Sequence, residues 1–165
     1  MPKTNHQNPK HASQSGFTLI ELLIVIAILT VLFAITIVAV NPARQFSQAN
    51  NTQRRSDVSA LLNAVYQYAA DNRGALPAYV NSSSTQEIGS STGSCAITCG
   101  ATTTVATCLN LDPTLVPTYL AAIPYDPNQS NASSTHYAIT KSTSGNRLTI
   151  TACDAELSET ISVTR

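Results

Sequence analysis

Four cysteines, at positions 95, 99, 108 and 153, are the residues of this 165-residue chain best able to do chemistry. Thiols at these spacings can close disulfides or hold a soft metal. Cys95 and Cys99 stand four apart, a loose spacing for structural zinc. In an oxidising compartment disulfides are the first reading, with three possible connectivities. A bond from Cys99 or Cys108 to Cys153 would tie the middle of the chain to its end. Closing a loop of about 50 residues in this way would stabilise a small domain by about 4 kcal/mol in the chain-entropy view.

Other chemistry finds little support. His6 and His11 lie near the start, and His136 is the third histidine. No Ser/His/acid or Cys/His signature and no Gly-rich phosphate loop is visible. Asp112, Asp126, Asp154, Glu156 and Glu159 could hold calcium, but they lack the dense alternation of an EF-hand loop and read better as solvated charge. No enzyme, cofactor or metal is expected.

Glu21 is the remaining anomaly. Between Phe17 and Val40 only Thr18, Glu21, Thr30 and Thr36 are polar. As a helix this run is about 36 Å long, enough to cross a bilayer core of about 30 Å with some tilt. A helix apolar on all sides needs an apolar environment on all sides. A carboxylate there either snorkels to the interface of a plain anchor or needs a cation. Cleavage after Gly16 would make one, the α-amine of Phe17.

The short basic leader, Gly16, then Phe17-Thr18-Leu19-Ile20-Glu21 and the apolar run resemble the class III signal of type IV pilins and pseudopilins. The resemblance covers about the first third of the chain. It implies that a prepilin peptidase cuts between Gly16 and Phe17 and N-methylates Phe17, and that Glu21 is the assembly carboxylate. It implies a structural subunit of a type IV pilus-like filament, built by packing N-terminal helices together. The partners would be the peptidase, identical or related subunits, the assembly machinery and, before assembly, membrane lipid. The subunit would be a single-pass membrane protein with a cytoplasmic N-terminus, and then part of a cell-surface filament. The alternatives are a pseudopilin of a type II secretion system, a DNA-uptake pilin that binds nucleic acid, and an anchored domain that never assembles. Pilins often carry a disulfide near the C-terminus, without fixing the pair. The segment Tyr119-Leu120…Ile123-Pro124-Tyr125-Asp126-Pro127 resembles a leucine-proline-x-aspartate-proline stretch of pseudopilins and bacterial pilins.

The elements that position these residues follow from pattern. Residues 1–16 form a leader with Lys3, Lys10 and no acid, whose positive charge argues for a cytoplasmic start. Residues 17–40 form the transmembrane and assembly helix. Pro42 marks a kink or the first residue of a new turn. An amphipathic segment occupies 41–76, with Val58, Leu61, Leu62, Val65, Tyr68 and Ala69 on one face. Arg54, Arg55, Asp57, Asn63, Gln67 and Asp71 take the other positions. Gly74 and Pro77 stop the helix. Residues 77–165 form the globular region. Within it, 78–107 is a Ser/Thr-rich loop with short strands near 96–98 and 103–106, and 109–129 holds a helical turn or two. The sheet occupies 135–165, with strands at 136–141, 147–152 and 160–164 that place Tyr137, Ile139, Leu148, Ile150, Ile161 and Val163 inward. The expected fold is α+β, a long N-terminal helix packed on a small antiparallel sheet of about three strands.

Nine basic and nine acidic side chains cancel, and loss of Lys3 and Lys10 leaves 7 − 9 = −2. That balance gives no general attraction for nucleic acid. Arg44, Arg54 and Arg55 could meet acids of neighbouring subunits or phosphates, but solvated surface charge is the expected role.

Overall fold

The computed structural model describes residues 16–80, 83–91, 95–145 and 147–165. All but the last residue of the expected leader lies outside the described residues. The chain divides into two compact units, Met1–Pro42 and Ala43–Arg165.

In the first unit, helix α1 spans Leu19–Ala39 and none of its residues is buried. Its two internal threonines hide their hydroxyls within the helix. Thr30 Oγ1 donates to the Ala27 carbonyl at 2.8 Å, and Thr36 Oγ1 to that of Phe33 at 2.9 Å. The bonds satisfy both hydroxyls locally and leave a continuous apolar surface. α1 is long and apolar enough to cross a membrane. Asn41, at φ 22°, separates it from the next helix, and Pro42 opens that helix as its first residue. A proline there gives up a donor that has no intrahelical partner anyway.

Helix α2 spans Pro42–Asp71. It ends where the sequence places a stop. The Gly74 amide reaches back to the Ala69 carbonyl at 2.7 Å, which closes the last turn. Arg73 at φ 57 and Gly74 at φ 86 both take the left-handed conformation typical of such an end. Val58, Leu61, Leu62, Ala64 and Val65 are buried and form one side of the core.

The other side is a four-stranded antiparallel sheet in the order β1-β4-β5-β6, with β1 Gln86–Glu87, β4 Tyr137–Lys141, β5 Leu148–Ala152 and β6 Ile161–Thr164. Tyr137 pairs with Ala152, Ile139 with Ile150, and Ile150 with Val163, so one pleat face carries the apolar set onto α2. The fourth strand, β1, is the difference from the expected three. It arises inside the Ser/Thr-rich segment through two residues that pair with Ile139 and Ala138. A two-residue strand has no periodicity to read, so only the tertiary pairing reveals it. The same segment holds a hairpin of β2 Thr98–Cys99 and β3 Thr102–Thr103. It turns at Gly100, whose positive φ of 62 suits a residue without a side chain. Helix α3, Asp112–Leu115, is one turn started by Pro113 and seals the core with Leu115.

Candidate functional site

The candidate processing and assembly residues sit together at the start of α1. Phe17 is 91% exposed. Thr18 is the N-cap, held extended at φ −82° and ψ 149°. Its hydroxyl accepts from the Glu21 amide at 3.3 Å, and the Glu21 carboxylate receives the Thr18 amide at 3.4 Å and the Thr18 hydroxyl at 3.3 Å. This reciprocal pair is a capping box, which satisfies donors that a helix start would otherwise leave orphaned. Glu21 therefore has a local partner before any cation approaches. Among the described residues, a side chain at Gly16 would meet nothing within 4 Å.

The second polar constellation lies inside the domain, and sequence reasoning missed it. Arg54, expected as solvated surface charge, is fully buried. Its Nε donates to Asp126 Oδ2 at 2.6 Å and its Nη2 to Asp126 Oδ1 at 2.9 Å, a two-pronged fork. Nη1 donates to Asn51 Oδ1 at 2.9 Å, and Glu156 Oε2 lies 3.7 Å away. Asp126 is fully buried too, so it is neither a solvated acid nor an open calcium ligand. The Asp126 hydrogen bond comes first among the causes that hold the Arg54 guanidinium above its ordinary range, well protonated. Asp57, placed on the polar face by its type, is also buried. It accepts from the Tyr137 hydroxyl at 2.8 Å and from Gln53 at 2.8 Å. Burial pushes the Asp57 carboxyl up, partly offset by these two donors.

Around this centre Glu156, Glu159 and Asp154 are also engaged. Glu156 accepts from Asn128 at 3.1 Å and Asn50 at 3.4 Å, and the Asn128 bond is the first cause holding its carboxyl below the usual range. Glu159 pairs with Arg55. Asp154 Oδ2 lies 2.6 Å from His136 Nδ1. The contacts from Asn50, Arg54 and Arg55 clasp α2 to the loop before β6 and to Asp126, and the Asp154–His136 pair ties that loop to the start of β4. The arrangement positions elements; Arg54 and Asp126 are closed to solvent and to substrate. A signal for it was present, since 51, 54, 58, 61 and 65 continue the spacing of the buried stripe.

The four cysteines form two disulfides, Cys95–Cys108 and Cys99–Cys153, with Cα atoms 5.2 and 4.3 Å apart. The second joins the β2–β3 hairpin to the end of the sheet, just past β5. Glu87 of β1 is fully buried beside the first.

No curated protein and no solved structure matches the chain in comparison. The α+β arrangement, a long apolar N-terminal helix followed by a second helix and an antiparallel sheet, is like that of type IV pilins. The family model of the prokaryotic N-terminal methylation motif matches residues 11–37, a span that holds Gly16, Phe17, Glu21 and most of α1. The chain thus carries the class III signal of type IV pilins and pseudopilins, a motif of structural subunits rather than of an enzyme family.

Proposed function

We propose that this chain is a structural subunit of a type IV pilus-like filament, matured by cleavage between Gly16 and Phe17 and N-methylation of Phe17. The observation that carries the reading is α1 itself, unburied along its whole length with one carboxylate in its first turn. Such a surface is satisfied by lipid before assembly and by the α1 helices of other subunits afterwards. In that packing Glu21 is desolvated, and the Phe17 α-amine of a neighbouring subunit is the cation that answers it. At about 4 Å and an effective dielectric of about 20 the attraction is roughly 4 kcal/mol before desolvation is subtracted. The pair therefore sets axial register more than it adds strength. The open space around Gly16 among the described residues supports processing, because a peptidase that needs a small residue at the cut gives a reason for a glycine there.

A filament of this kind is favoured over a nucleic-acid receptor by the fate of the α2 arginines. Arg54 is buried against Asp126, which takes one of the three candidate phosphate contacts into the domain, and Arg55 is paired with Glu159 at the surface. The test is mass spectrometry of surface filaments together with imaging of a Glu21→Ala strain. The expected results are a methylated Phe17 terminus, intact cleavage in the variant, and filaments lost or sharply reduced. A terminus at Met1, or normal filaments built solely from the variant, refutes the proposal.

A further inference from the structure

We propose that strand β6 pairs edge to edge with β6 of a second copy of this chain, antiparallel and centred on Ser162. The sheet has two edges, and the fold treats them differently. At β1 the outer edge is covered. Ile88 and Leu109 form a parallel bridge, the Leu109 amide donates to the Glu87 carbonyl at 2.8 Å, and the Gly89 amide donates to the Leu109 carbonyl at 3.0 Å. At β6 the strand order ends, with β5 as its one neighbour among the described residues. Leu148 and Arg165 exchange both of their backbone bonds, at 2.9 and 3.0 Å. The register carries this pattern on through Ile150 with Val163 and Ala152 with Ile161. Antiparallel ladders alternate, so the amides and carbonyls of Ser162 and Thr164 point away from β5. Both residues are exposed. Ile161–Thr164 holds no charge and no proline, the devices that commonly blunt such an edge.

Charge at the two ends of this edge selects the partner. Glu159 stands just before β6 and Arg165 just after it, and both reach toward α2. Glu159 Oε2 accepts from Asn51 and Arg55, and Arg165 Nη1 donates to Asn63 Oδ1 at 3.2 Å. An antiparallel copy centred on Ser162 sets Ser162 against the partner's Ser162 and Thr160 against the partner's Thr164. The outward backbone groups of these residues then bond in pairs. The same register sets Glu159 against the partner's Arg165, so each acid faces a base, and symmetry repeats the pair at the other end. Ile161 meets the partner's Val163 on the side of α2, which covers the half-buried Val163. Neighbouring registers fit worse. One calls for extended chain at Ser158, but Leu157 and Ser158 hold φ of 58 and 56. The other sets Arg165 against the partner's Ile161. The pairing is isologous and closes on itself, so it joins two chains side by side without propagating. It lies wholly within the second unit and does not rest on the filament reading.

The test uses the full chain in detergent, with micelles in excess over chains so that α1 does not bring two copies together. All four cysteines are held in disulfides, so a single introduced cysteine supplies the free thiol. Copper-catalysed air oxidation should link Ser162→Cys chains into a dimer. Thr160→Cys and Thr164→Cys chains should link to each other when mixed. Neither should link alone, because like positions then stand about 14 Å apart, too far for a disulfide. Ser162→Pro deletes an outward amide and leaves the bonds to β5 in place, as an edge strand allows. Added to the Thr160→Cys and Thr164→Cys chains, it should cut the mixed dimer by at least about tenfold, the effect of the central hydrogen bonds it deletes. Thermal unfolding checks that this variant folds. If it does not, Arg165→Glu decides, since it opposes two acids and should cut linking severalfold at low salt. Absence of a Ser162→Cys dimer overturns the proposal. So does linking that is equal at every position, or unchanged by Ser162→Pro, or by Arg165→Glu when that variant decides.

Discussion

The Arg54 guanidinium and the Asp126 carboxylate, 72 residues apart in sequence, meet in a two-bond fork of 2.6 and 2.9 Å with neither side chain exposed to solvent. Removing one partner leaves the other charge buried and uncompensated. Arg54→Ala should therefore cost about 3–5 kcal/mol of domain stability in denaturant unfolding. Arg54→Lys should recover only part of this, because a point charge cannot reproduce the fork. A loss below about 1 kcal/mol in either variant, the level of an exposed pair, would show that the fork is not closed to water.

Asp57 and Glu156 should shape the pH dependence in opposite directions. Burial raises the folded-state Asp57 carboxyl above its unfolded value, so the folded chain binds the extra proton and this group's contribution falls as pH rises through that interval. Glu156 is lowered, so its contribution is present above the ordinary carboxyl range and is lost as pH falls through its folded value. Asp57→Asn should compare better with the parent chain at pH 7 than at pH 3. Glu156→Gln should compare worse at pH 7 than at pH 3. Parallel stability curves for parent and variants across that range would contradict both assignments.

Gly89 is a close-approach glycine. A Cβ there would stand 2.3 Å from the Ser133 carbonyl oxygen, a backbone atom that cannot swing aside. Gly89→Ala should cost about 1–3 kcal/mol, the usual range for overpacking, measured by thermal unfolding. Gly16→Ala, with nothing near it among the described residues, should leave stability unchanged.

Non-reducing mass mapping should recover Cys95–Cys108 and Cys99–Cys153 as separate pairs. The Cys99–Cys153 bond joins positions at a sequence separation of 54. The Cys99→Ser/Cys153→Ser chain should therefore lose about 4 kcal/mol by loop-closure entropy. Recovery of Cys108 bonded to Cys153 would reject the pairing.

Much of this architecture is legible along the chain. The class III signal, the apolar run of α1, the amphipathic stripe of α2 and the strands β4 to β6 are contiguous patterns, set by helical or pleated geometry within a few residues. Gly74 and Pro42 act locally as well, one ending α2 and the other opening it. Each can be read because its cause lies beside it in the sequence.

What the tertiary structure alone decided involves partners far apart. Asn51 and Arg54 sit on the buried stripe by spacing, yet their polar type points outward until Asp126 and the loop at 156 arrive to satisfy them. Asp57 is buried because Tyr137, 80 residues on, brings a hydroxyl to it. Glu87 lies in a Ser/Thr-rich stretch that reads as loop, and becomes a buried strand residue only through pairing with β4. The choice among three cysteine pairings was likewise open, because spacing limits loop length but not which sulfurs meet. Local periodicity fixes the face that a residue occupies; whether a charged group can be buried there depends on a compensating partner, and only the folded chain brings the two together.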